Sequence, residues 1–573
     1  MQKRLKLMAV VITAVLVTIG IKYIESFGHT AIVASDFGIA ECDTLNRLLV
    51  NGVNRGTIKV VVDGGEYTSN RSELYLDDDM NIMVRTDYAG RMINCAVSRY
   101  TDSRVLMEKG SDKVVFESGC DYVVRNDTKE ELLGRVTLNE QGMYVPLETV
   151  AKYLGYDYEW NPQLAVASLR NRNADGKIYP FKYDYRECGR VSSVKDQANL
   201  GTCWAFASLT ALESSMLPYH EVDFSEDHLT QKNGYSLSQN DGGEFNMTMA
   251  YLASWKGPVY EEQDPYGDGY SPDGVEPAVH VQEMQIIPGK DYDGIKKAVF
   301  LYGGVQSSLY MTTMNANGLD GAYYNSANSA YCYIGTKKAN HDIVIVGWDD
   351  SYPADNFATP PVGDGAFLCV NSWGDDFGDD GFFYVSYYDT NIGMHNLVYT
   401  KVESNDNYDN LYQTDSLGWV GLLGYDREYA YFANVYTAKS DELLKAVGFY
   451  ATTPGTRYKV YFADAVPAPA RFANMELVAE GSMTNAGFFT IDLKSPKELA
   501  GGNKYGIIVY IESPNAKKPV AIECYSDSST QNFDLNDGEG YISPNGRNWE
   551  RVENTQHCNI CLKMYTDNIR KEE

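Results

Sequence analysis

A cysteine followed directly by a tryptophan, Cys203-Trp204, begins a segment with the apolar spacing of a helix. Apolar side chains at positions 205, 209, 212 and 216 share one helical face, and Pro218 ends the pattern. Thr202 is the residue expected to cap the first turn. Backbone N–H groups and the helix dipole favour an ionised thiol there, so we expect a lowered pKa and a nucleophilic sulfur. On this segment alone, a buried structural cysteine is the alternative.

A thiolate nucleophile needs a base, and the chain offers seven histidines. Only His341 directly precedes a run of β-branched residues, 342–348 (DIVIVGW), which predicts a buried strand. Asn371 closes a second apolar strand, and Trp373 follows it. An amide oxygen that accepts from one imidazole nitrogen directs the other nitrogen at the sulfur, and a nearby indole shields that hydrogen bond from water.

A fourth group fits the same chemistry. Gln197 precedes the thiol on the same loop, and its side-chain NH₂ can donate to a developing oxyanion together with the backbone N–H of Cys203. Nucleophile, base, orienting amide and oxyanion donor are the parts that acyl transfer through a thioester requires. The candidate catalytic residues are Cys203, His341, Asn371 and Gln197.

The residues around these groups resemble the papain family of cysteine peptidases, over roughly 180–395. The matching motifs are Gln197-x5-Cys203-Trp204, Asn340-His341-Asp342 before VIVGW, Asn371-Ser372-Trp373-Gly374, and Asp184-Tyr185-Arg186, which is similar to the mature N-terminal strand. Two features depart from the family. Leu200 occupies the place of a half-cystine, and a long loop, 349–365, separates the histidine from the asparagine.

This resemblance implies a two-lobed domain, with a helical lobe and a β-barrel-like lobe, that hydrolyses peptide bonds and requires no cofactor for catalysis. It also implies a cleft in which a glycine pair holds an extended peptide by its backbone. The implied substrate-binding residues are Gly242, Gly243, Glu244, Phe245, Ser308, Asp342 and Trp373. Two carboxylates in the pocket for the second residue before the cut favour a basic or polar side chain there.

A chain of 573 residues is too long for one core, and we expect a multidomain α+β protein. Residues 1–35 begin with three basic residues and an apolar run, 7–21, which is typical of a signal peptide or an N-terminal membrane anchor. Both interpretations stay open. Either one places the remainder outside the cytoplasm, extracellular or at the cell surface, with the membrane contacted only through this segment.

Residues 40–172 contain a faint repeat. The stretch 143–171 predicts strand, helix, turn and strand, and 83–108 has the same rhythm, with Val84 at the place of Val145. Its pattern resembles the copper amine oxidase N-terminal-like domain, which implies a small α+β stalk or pro-region without copper ligands. No helical inhibitory prosegment precedes residue 178, and whether this region inhibits, is removed or acts as a stalk stays open.

A polar linker, 171–177, leads to the expected peptidase domain, 178–402. The last region, 405–570, consists of short alternating apolar runs punctuated by turn residues, which predicts an antiparallel β-sandwich. It resembles a bacterial lectin-like domain, and this implies a structural Ca²⁺ or contact with a surface glycan or protein. The acidic segment 534–539 could supply oxygen ligands, but an ordinary acidic turn is the preferred interpretation.

The net charge of −29 argues against a nucleic-acid partner, because no basic surface is concentrated enough to neutralise phosphates. Ten scattered cysteines are too sparse for a disulfide scaffold, and the pair Cys558 and Cys561 lies in a strand-like stretch without further ligands. We assign no metal ligands. We expect a monomer whose partner is a protein or peptide substrate.

Two other classes of protein share some of these features. The first is an inactive peptidase scaffold that acts as a surface adhesin through its lectin-like domain, and the intact catalytic set argues against it. The second is a thiol acyltransferase such as a transglutaminase, which uses a similar Cys-His pair. Release of new amino termini, as opposed to amine incorporation, distinguishes hydrolysis from acyl transfer.

Overall fold

The computed structural model describes residues 58–569 with short gaps, of which those longer than two residues are 69–73, 78–80, 162–165, 173–178, 313–321 and 465–471. The chain forms three units in sequence: a small α+β domain, a two-lobed domain and an antiparallel β-sandwich. This confirms the multidomain α+β class. Among the described residues no helix is long and apolar enough to cross a membrane. The apolar segment 7–21 lies outside the described residues.

The N-terminal domain is built from short strands and two short helices. Its elements are β1 Lys59–Val62, β2 Gly65–Thr68, β3 Leu74–Leu76, β4 Ile82–Arg85, α1 Thr86–Ile93, β5 Ala96–Thr101, β6 Arg104–Lys109, β7 Asp112–Glu117, β8 Tyr122–Arg125, β9 Thr128–Glu131, β10 Thr137–Asn139, β11 Gly142–Pro146, α2 Leu147–Tyr153, β12 Tyr156–Asn161 and β13 Val166–Asn171.

The predicted repeat is present in this domain. Strand β4 runs into α1 and then β5, as β11 runs into α2 and then β12. The two copies meet directly, because β4 and β11 pair antiparallel with Val84 opposite Val145. Both valines are fully buried in a core of their own, separate from that of the central domain. A cation–carboxylate contact of 2.7 Å, Lys297 to Glu159, links the domain to the next one.

The central domain carries most of the helices. Its elements are β14 Lys182–Asp184, α3 Tyr185–Cys188, α4 Cys203–Met216, α5 Glu226–Lys232, α6 Phe245–Ala253, β15 Val279–Ile287, α7 Tyr292–Leu301, β16 Val305–Leu309, β17 Tyr324–Asn325, β18 Ala330–Tyr331, β19 His341–Asp349, β20 Ala366–Val370, β21 Phe382–Ser386 and β22 Asn396–Ser404.

Helix α4 is the centre of this domain. It starts at Cys203, as predicted, and ends two residues before Pro218. Nearly all of its side chains are buried, because α5 and α6 cover one side and strands β19, β16 and β22 the other. A helix that is apolar all round is the type that a core encloses. Its buried acid, Glu213, accepts from Lys195 Nζ at 2.7 Å, so the charge inside the core is paired.

The sheet of the central domain runs β17-β18-β21-β20-β19-β16-β22-β15, and β14 pairs with β19. Helices and sheet therefore form two lobes with α4 between them. The antiparallel neighbours β19 and β20 are decisive for the site. Because they run in opposite directions, the first residue of β19 lies beside the residue that follows β20, and Val344 pairs with Val370 near that end.

Among the described residues the C-terminal domain contains one short α-helix and the 3₁₀ turn Ser528–Thr530, and the remaining elements are strands. They are β23 Asn410–Tyr412, β24 Gly421–Leu423, β25 Tyr429–Thr437, β26 Glu442–Ala451, β27 Thr456–Ala463, β28 Glu476–Met483, β29 Ala486–Leu499, β30 Lys504–Glu512, β31 Val520–Cys524, β32 Gly540–Ser543, β33 Glu550–Arg551, α8 Val552–Thr555, β34 Cys558–Ile560 and β35 Leu562–Asn568.

These strands pair antiparallel throughout, which confirms the predicted sandwich. One layer is β28-β27-β30-β25-β32-β33, and the facing layer contains β29-β26-β35-β23 with the smaller sheet β24-β31-β34. Alternate side chains of both layers meet in a shared apolar core, in which Phe432 and Phe449 pack edge to face.

One sheet continues from the central domain into the sandwich. Strand β15 pairs with β22 on one side and with β29 on the other, where Gln285 lies opposite Gly487. Side chains also connect the two domains at this joint, the pairing of β15 with β29, because Thr490 Oγ1 donates to Gln282 Oε1 at 2.6 Å. The last two domains therefore share backbone hydrogen bonds, in contrast to domains that touch only through side chains.

Gly487 should be essential to this joint. It has φ +140, and a Cβ atom would come within 2.0 Å of the Met284 carbonyl oxygen. We expect Gly487→Ala to lower the free energy of unfolding by about 3 kcal/mol, because backbone strain adds to a clash with main-chain atoms. Urea denaturation followed by tryptophan fluorescence measures the change.

Gly502→Ala is the matched control, since Gly502 also has positive φ, +81, but no atom lies within 4 Å of the added carbon. We expect this change to cost about 1 kcal/mol from backbone strain alone. Equal urea midpoints for the two variants would contradict the assigned role of the joint.

Candidate active site

The site is centred on a hydrogen bond between the imidazole and the amide that the sequence singled out. His341 is the first residue of β19, and Asn371 follows β20 directly. His341 Nε2 donates to Asn371 Oδ1 at 2.7 Å, and both side chains are buried. The same oxygen accepts from the Ser372 backbone N–H at 2.9 Å, which fixes the orientation of the amide. Nδ1 is thus the imidazole nitrogen available to the thiol.

The thiol lies at the first turn of α4, against the start of β19. The sulfur of Cys203 interacts with backbone N–H groups of Asp342, Trp204 and its own residue. Because Asp342 directly follows His341, the nucleophile and base of the sequence analysis are brought to one place. The predicted side-chain cap is wrong. Thr202 makes no cap hydrogen bond, because its hydroxyl pairs with the Tyr266 hydroxyl at 2.7 Å.

The predicted direction of the thiol pKa is also wrong. Burial raises the pKa of Cys203 to about 11, the Asp342 carboxylate adds to that rise, and the backbone N–H groups lower it by less. Loss of solvent around the sulfur therefore outweighs the helix terminus. Burial likewise lowers the pKa of His341 to about 4, against the opposing effect of Asn371.

Between these two pKa values the pair of Cys203 and His341 holds one transferable proton. The proton is on sulfur when both groups are neutral and on Nδ1 when they form a thiolate and an imidazolium. The two states have the same net charge, so moving the proton between them requires no exchange with solvent. Attraction between the two charges favours the ion pair, and burial of both groups opposes it.

Gln197 is held beside this pair in a defined orientation. Its Oε1 accepts from the Ser372 hydroxyl at 2.7 Å, and its Nε2 donates to the Leu200 carbonyl at 2.8 Å. Among the described residues no acceptor is assigned to the second N–H of that amide. This N–H and the backbone N–H of Cys203 are the groups that could receive an oxyanion. Ser372 stands in the motif that begins at Asn371, but no role for it was predicted from the sequence.

The indole of Trp373 covers the hydrogen bond between histidine and asparagine. Its ring lies 4.8 Å from the ring of His341 at an interplanar angle of 34°. Phe377 packs edge-on against the other side of the indole, at 5.2 Å. The half-buried indole thus limits access of water to the bond, as expected from the sequence, and its place in the substrate cleft stays a prediction.

The glycine pair lies beside the nucleophile. A Cβ atom on Gly243 would come within 2.4 Å of the Trp204 indole, whereas Gly242 has φ +77 and open space around it. A Cβ atom on Gly201 would lie 3.1 Å from the Gln239 carbonyl oxygen and 3.2 Å from the Gly242 backbone nitrogen. The backbone of the pair is therefore held next to the first turn of α4, with one face unobstructed.

The predicted pocket residues come from both lobes. Ser308 and Asp342 are direct neighbours on β16 and β19, whereas Glu244 and Phe245 lie at the start of α6. Burial raises the pKa of the Asp342 carboxyl, and the charge of Glu244 raises it further, so the two acids lie near each other. Asp342 is only partly exposed, and the carboxylate of Glu244 faces solvent.

Hydrogen bonds among several polar side chains hold Asp342 in place. The sequence did not predict them. Gln306 Nε2 donates to Asp342 Oδ2 at 2.9 Å, and the Ser308 hydroxyl donates to the same carboxylate. Gln306 Oε1 accepts from Ser208, which in turn accepts from Thr248 at 2.9 Å. Alternation along β16 puts residues 306 and 308 on one face, and this period of two was the available signal.

Among the described residues, no group of three or more His, Cys, Asp or Glu side chains is placed to hold a metal ion. In the acidic segment 534–539, Asp534 Oδ1 accepts from the Asn536 backbone at 2.8 Å, and Glu539 pairs with Lys504. Asp534 and Glu539 are thus engaged in a turn and an ion pair, and the structural Ca²⁺ that the lectin-like resemblance implied stays a prediction.

Three regions of the chain match known families. Residues 61–169 match the copper amine oxidase N-terminal domain, 179–402 the papain family cysteine protease and 411–566 the lectin-like domain. Among curated proteins, a viral cathepsin of Epiphyas postvittana nucleopolyhedrovirus is 25% identical over 263 residues, which cover 45% of this chain and 75% of the relative. The oryzain gamma chain of Oryza sativa subsp. japonica is 30% identical over 38% of this chain and 58% of its own.

Two solved structures resemble the central and C-terminal domains together. The clostridial cysteine protease Cwp84 after propeptide cleavage aligns with a TM-score of 0.60 and 26% identity, covering 68% of this chain and 99% of that one. The cysteine protease and lectin-like domains of Cwp84, described as a surface layer associated protein of Clostridium difficile, align at 0.58 and 27% identity, over 68% and 89% of the two chains.

The shared proton predicts a wide pH optimum. As pH falls through the lower pKa, near 4, the pair of Cys203 and His341 binds a second proton and no nucleophile can form. As pH rises through the upper pKa, the pair loses its only proton and the leaving group can no longer be protonated. We expect kcat/KM for a fluorogenic peptide to be flat across neutral pH and to fall on both sides.

His341→Ala is the control, because a lone buried thiol has to ionise by itself. In this variant, the rate at which iodoacetamide alkylates Cys203 should rise steadily with pH toward the raised pKa of the thiol, about 11. A wild-type activity that also rises steadily with pH would mean that no proton is shared between the two groups.

Proposed function

We propose that this chain, whose residues 179–402 belong to the papain family of cysteine peptidases, is an exported endopeptidase that cleaves proteins at the cell surface or outside the cell. The chain is a cysteine peptidase, and therefore a hydrolase, as its cathepsin-like relatives and the Cwp84 structures support. The finer assignments of catalytic roles, location and substrate are the proposal.

The proposed reaction begins with attack of Cys203 Sγ on the carbonyl carbon of the scissile peptide bond. The thiol proton passes to His341 Nδ1 and from there to the leaving nitrogen, so that the C–N bond breaks and a thioester forms. His341 then takes a proton from water, the hydroxide attacks the thioester carbon, and the sulfur leaves and regains a proton. The products are a new carboxyl and a new amino terminus.

Two N–H groups would receive the negative charge of each tetrahedral intermediate. They are the backbone N–H of Cys203 and the second Nε2–H of Gln197, whose orientation is set by Ser372 and Leu200. Donors fixed in advance stabilise a developing oxyanion without reorganising, and one such donor contributes about 3 kcal/mol. Asn371 would act through His341, by holding the ring.

The observation that carries the proposal is the 2.7 Å bond from His341 Nε2 to Asn371 Oδ1, which leaves Nδ1 for a thiol placed against the next residue of the strand. An inactive scaffold would not need a histidine held in this orientation beside a thiol. The competing adhesin function is therefore not favoured, although the lectin-like domain could still bind a surface glycan or protein and hold the peptidase near its substrates.

Location outside the cytoplasm is supported by two features. The basic N-terminus with its apolar run, 7–21, is typical of an exported chain. The combination of peptidase and lectin-like domains is shared with a protein that is described as associated with a surface layer. We propose surface or extracellular proteins as substrates, and residues 61–169 as the module that spaces or docks the enzyme.

Cys203→Ala should abolish cleavage. We expect the full chain to release new amino termini from a protein substrate such as casein, and the variant to lose at least about 10³-fold in rate, because no other group can form the thioester. Sequencing of fragment ends measures this, and a thiol-directed epoxide should label only the wild type. Cys120→Ala, which removes a half-buried thiol of the N-terminal domain, is the control and should retain full activity.

Persistent cleavage by Cys203→Ala would contradict the proposed nucleophile. Incorporation of an amine into substrate without new amino termini would instead point to acyl transfer.

Asp342 should set the preference for the second residue before the cut. We expect arginine to be preferred over leucine there, and Asp342→Asn to lower this ratio about ten-fold, since the amide keeps the bond from Gln306 but loses the charge. The measurement is the ratio of kcat/KM for two peptides within each variant, which cancels any effect of the substitution on the thiol. A wild-type profile dominated by leucine or phenylalanine would refute the assignment.

A further inference from the structure

A loop of the lectin-like domain, residues 525–532, contacts the segment that leads to the glycine pair. The Ser236 backbone N–H donates to the Ser529 carbonyl at 2.8 Å. Asn532 Nδ2 donates to Ser236 Oγ at 2.8 Å and to the Gly234 carbonyl at 3.3 Å. The two domains are thus hydrogen-bonded to each other six residues before Gly242.

A tyrosine of the peptidase domain reinforces this contact. Tyr235 lies between the two hydrogen-bonded residues of its segment, and its hydroxyl donates to the Leu417 carbonyl of the lectin-like domain at 2.7 Å. Burial raises the pKa of Tyr235, and the charges of Glu244 and Asp527 contribute to the rise. The phenol is therefore within electrostatic reach of both Glu244, a rim residue of the predicted substrate pocket, and the 525–532 loop.

The loop exposes two side chains suited to peptide recognition. Tyr525 has 63% of its surface exposed, which is unusual for a large aromatic residue next to a domain interface. Asp527 is also exposed, and its carboxylate accepts from the backbone N–H and the hydroxyl of Ser529, so its charge is fixed at the surface of the loop. Asp527 is the N-cap of the short 3₁₀ turn Ser528–Thr530, and Tyr525 lies two residues before it in the chain.

We expect a peptide bound in the cleft to extend toward this loop. The papain-family resemblance implies that the backbone of the glycine pair holds the second residue before the cut, and an extended chain advances about 3.3 Å per residue. Residues further toward the amino terminus therefore leave the glycine pair along its preceding segment, 234–241. The 525–532 loop borders that segment.

We propose that Tyr525 and Asp527 of the lectin-like domain form a subsite for the third and fourth substrate residues before the scissile bond, with a preference for basic side chains. Asp241 and Glu244 flank the glycine pair in the sequence, and Glu244 lies near Asp342, whose charge acts on the thiol of Cys203. Lysine and arginine match this negative charge, because their stems pack on an aromatic ring while their cationic ends pair with carboxylates. This inference rests on the proposed peptidase function.

Three fluorogenic peptides test the subsite on the full chain. All three have arginine at the second position before the cut. The short peptide ends at this arginine with a blocked amino terminus. The two longer peptides continue to the third and fourth positions, with two lysines in one and two norleucines in the other. We expect the lysine peptide to have a kcat/KM about five-fold above that of the norleucine peptide at low salt, and this advantage to shrink in 0.5 M NaCl.

Two variants locate the effect on the lectin-like domain. Asp527→Asn keeps an acceptor for Ser529 and should lower the lysine advantage about three-fold. Tyr525→Ala should lower kcat/KM about five-fold for both long peptides. Neither should change cleavage of the short peptide. Asp441→Asn is the control, because Asp441 also accepts a backbone N–H but contacts Gly501 within its own domain.

The outcomes separate the subsite from the peptidase itself. Cleavage of all three peptides with no difference between wild type and the two loop variants would overturn the subsite and leave the peptidase function intact. Loss of short-peptide cleavage in both variants would show damage to the domain joint and would also overturn the subsite. Failure of the wild type to cleave any peptide would overturn the proposed function and this inference with it.

Discussion

The hydrogen bond from His341 Nε2 to Asn371 Oδ1 is the interaction on which the rest of the site depends. It exists because β19 and β20 run antiparallel, so that the start of one lies beside the end of the other. Burial under Trp373 strengthens the bond and removes water that would compete for it. With the ring held, one nitrogen alone remains for proton transfer to and from sulfur, and the position of α4 against β19 supplies that sulfur.

Local patterns in the sequence were sufficient for the elements that carry the site. Helical spacing after Cys203, the β-branched run after His341 and the repeat that aligns Val84 with Val145 all depend on neighbouring residues, and each predicted element is present. The alternating runs of the last region likewise form the strands of a sandwich. The resemblance to one family added what spacing cannot provide, namely that groups far apart in the chain meet in a single cleft.

The predictions that failed depend on contacts with distant residues. Thr202 has the right side chain for a cap, but Tyr266 competes for its hydroxyl. The helix terminus favours a thiolate at Cys203, yet burial and the carboxylate of Asp342 act more strongly in the opposite direction. The chain from Gln306 to Thr248 joins three elements, and the sharing of β15 between two domains joins strands some two hundred residues apart. A single sequence contains no local trace of such pairings.

The shared sheet also determines what would happen if the sandwich were cleaved off. Strand β15 would lose β29, and the groups of residues 283–286 that now bond to it would become a bare, flat edge. Such edges template pairing with other chains, so a shortened enzyme would tend to self-associate or aggregate. The C-terminal domain therefore covers this edge of the catalytic unit, and we expect its removal to favour aggregation over the release of a smaller working protease.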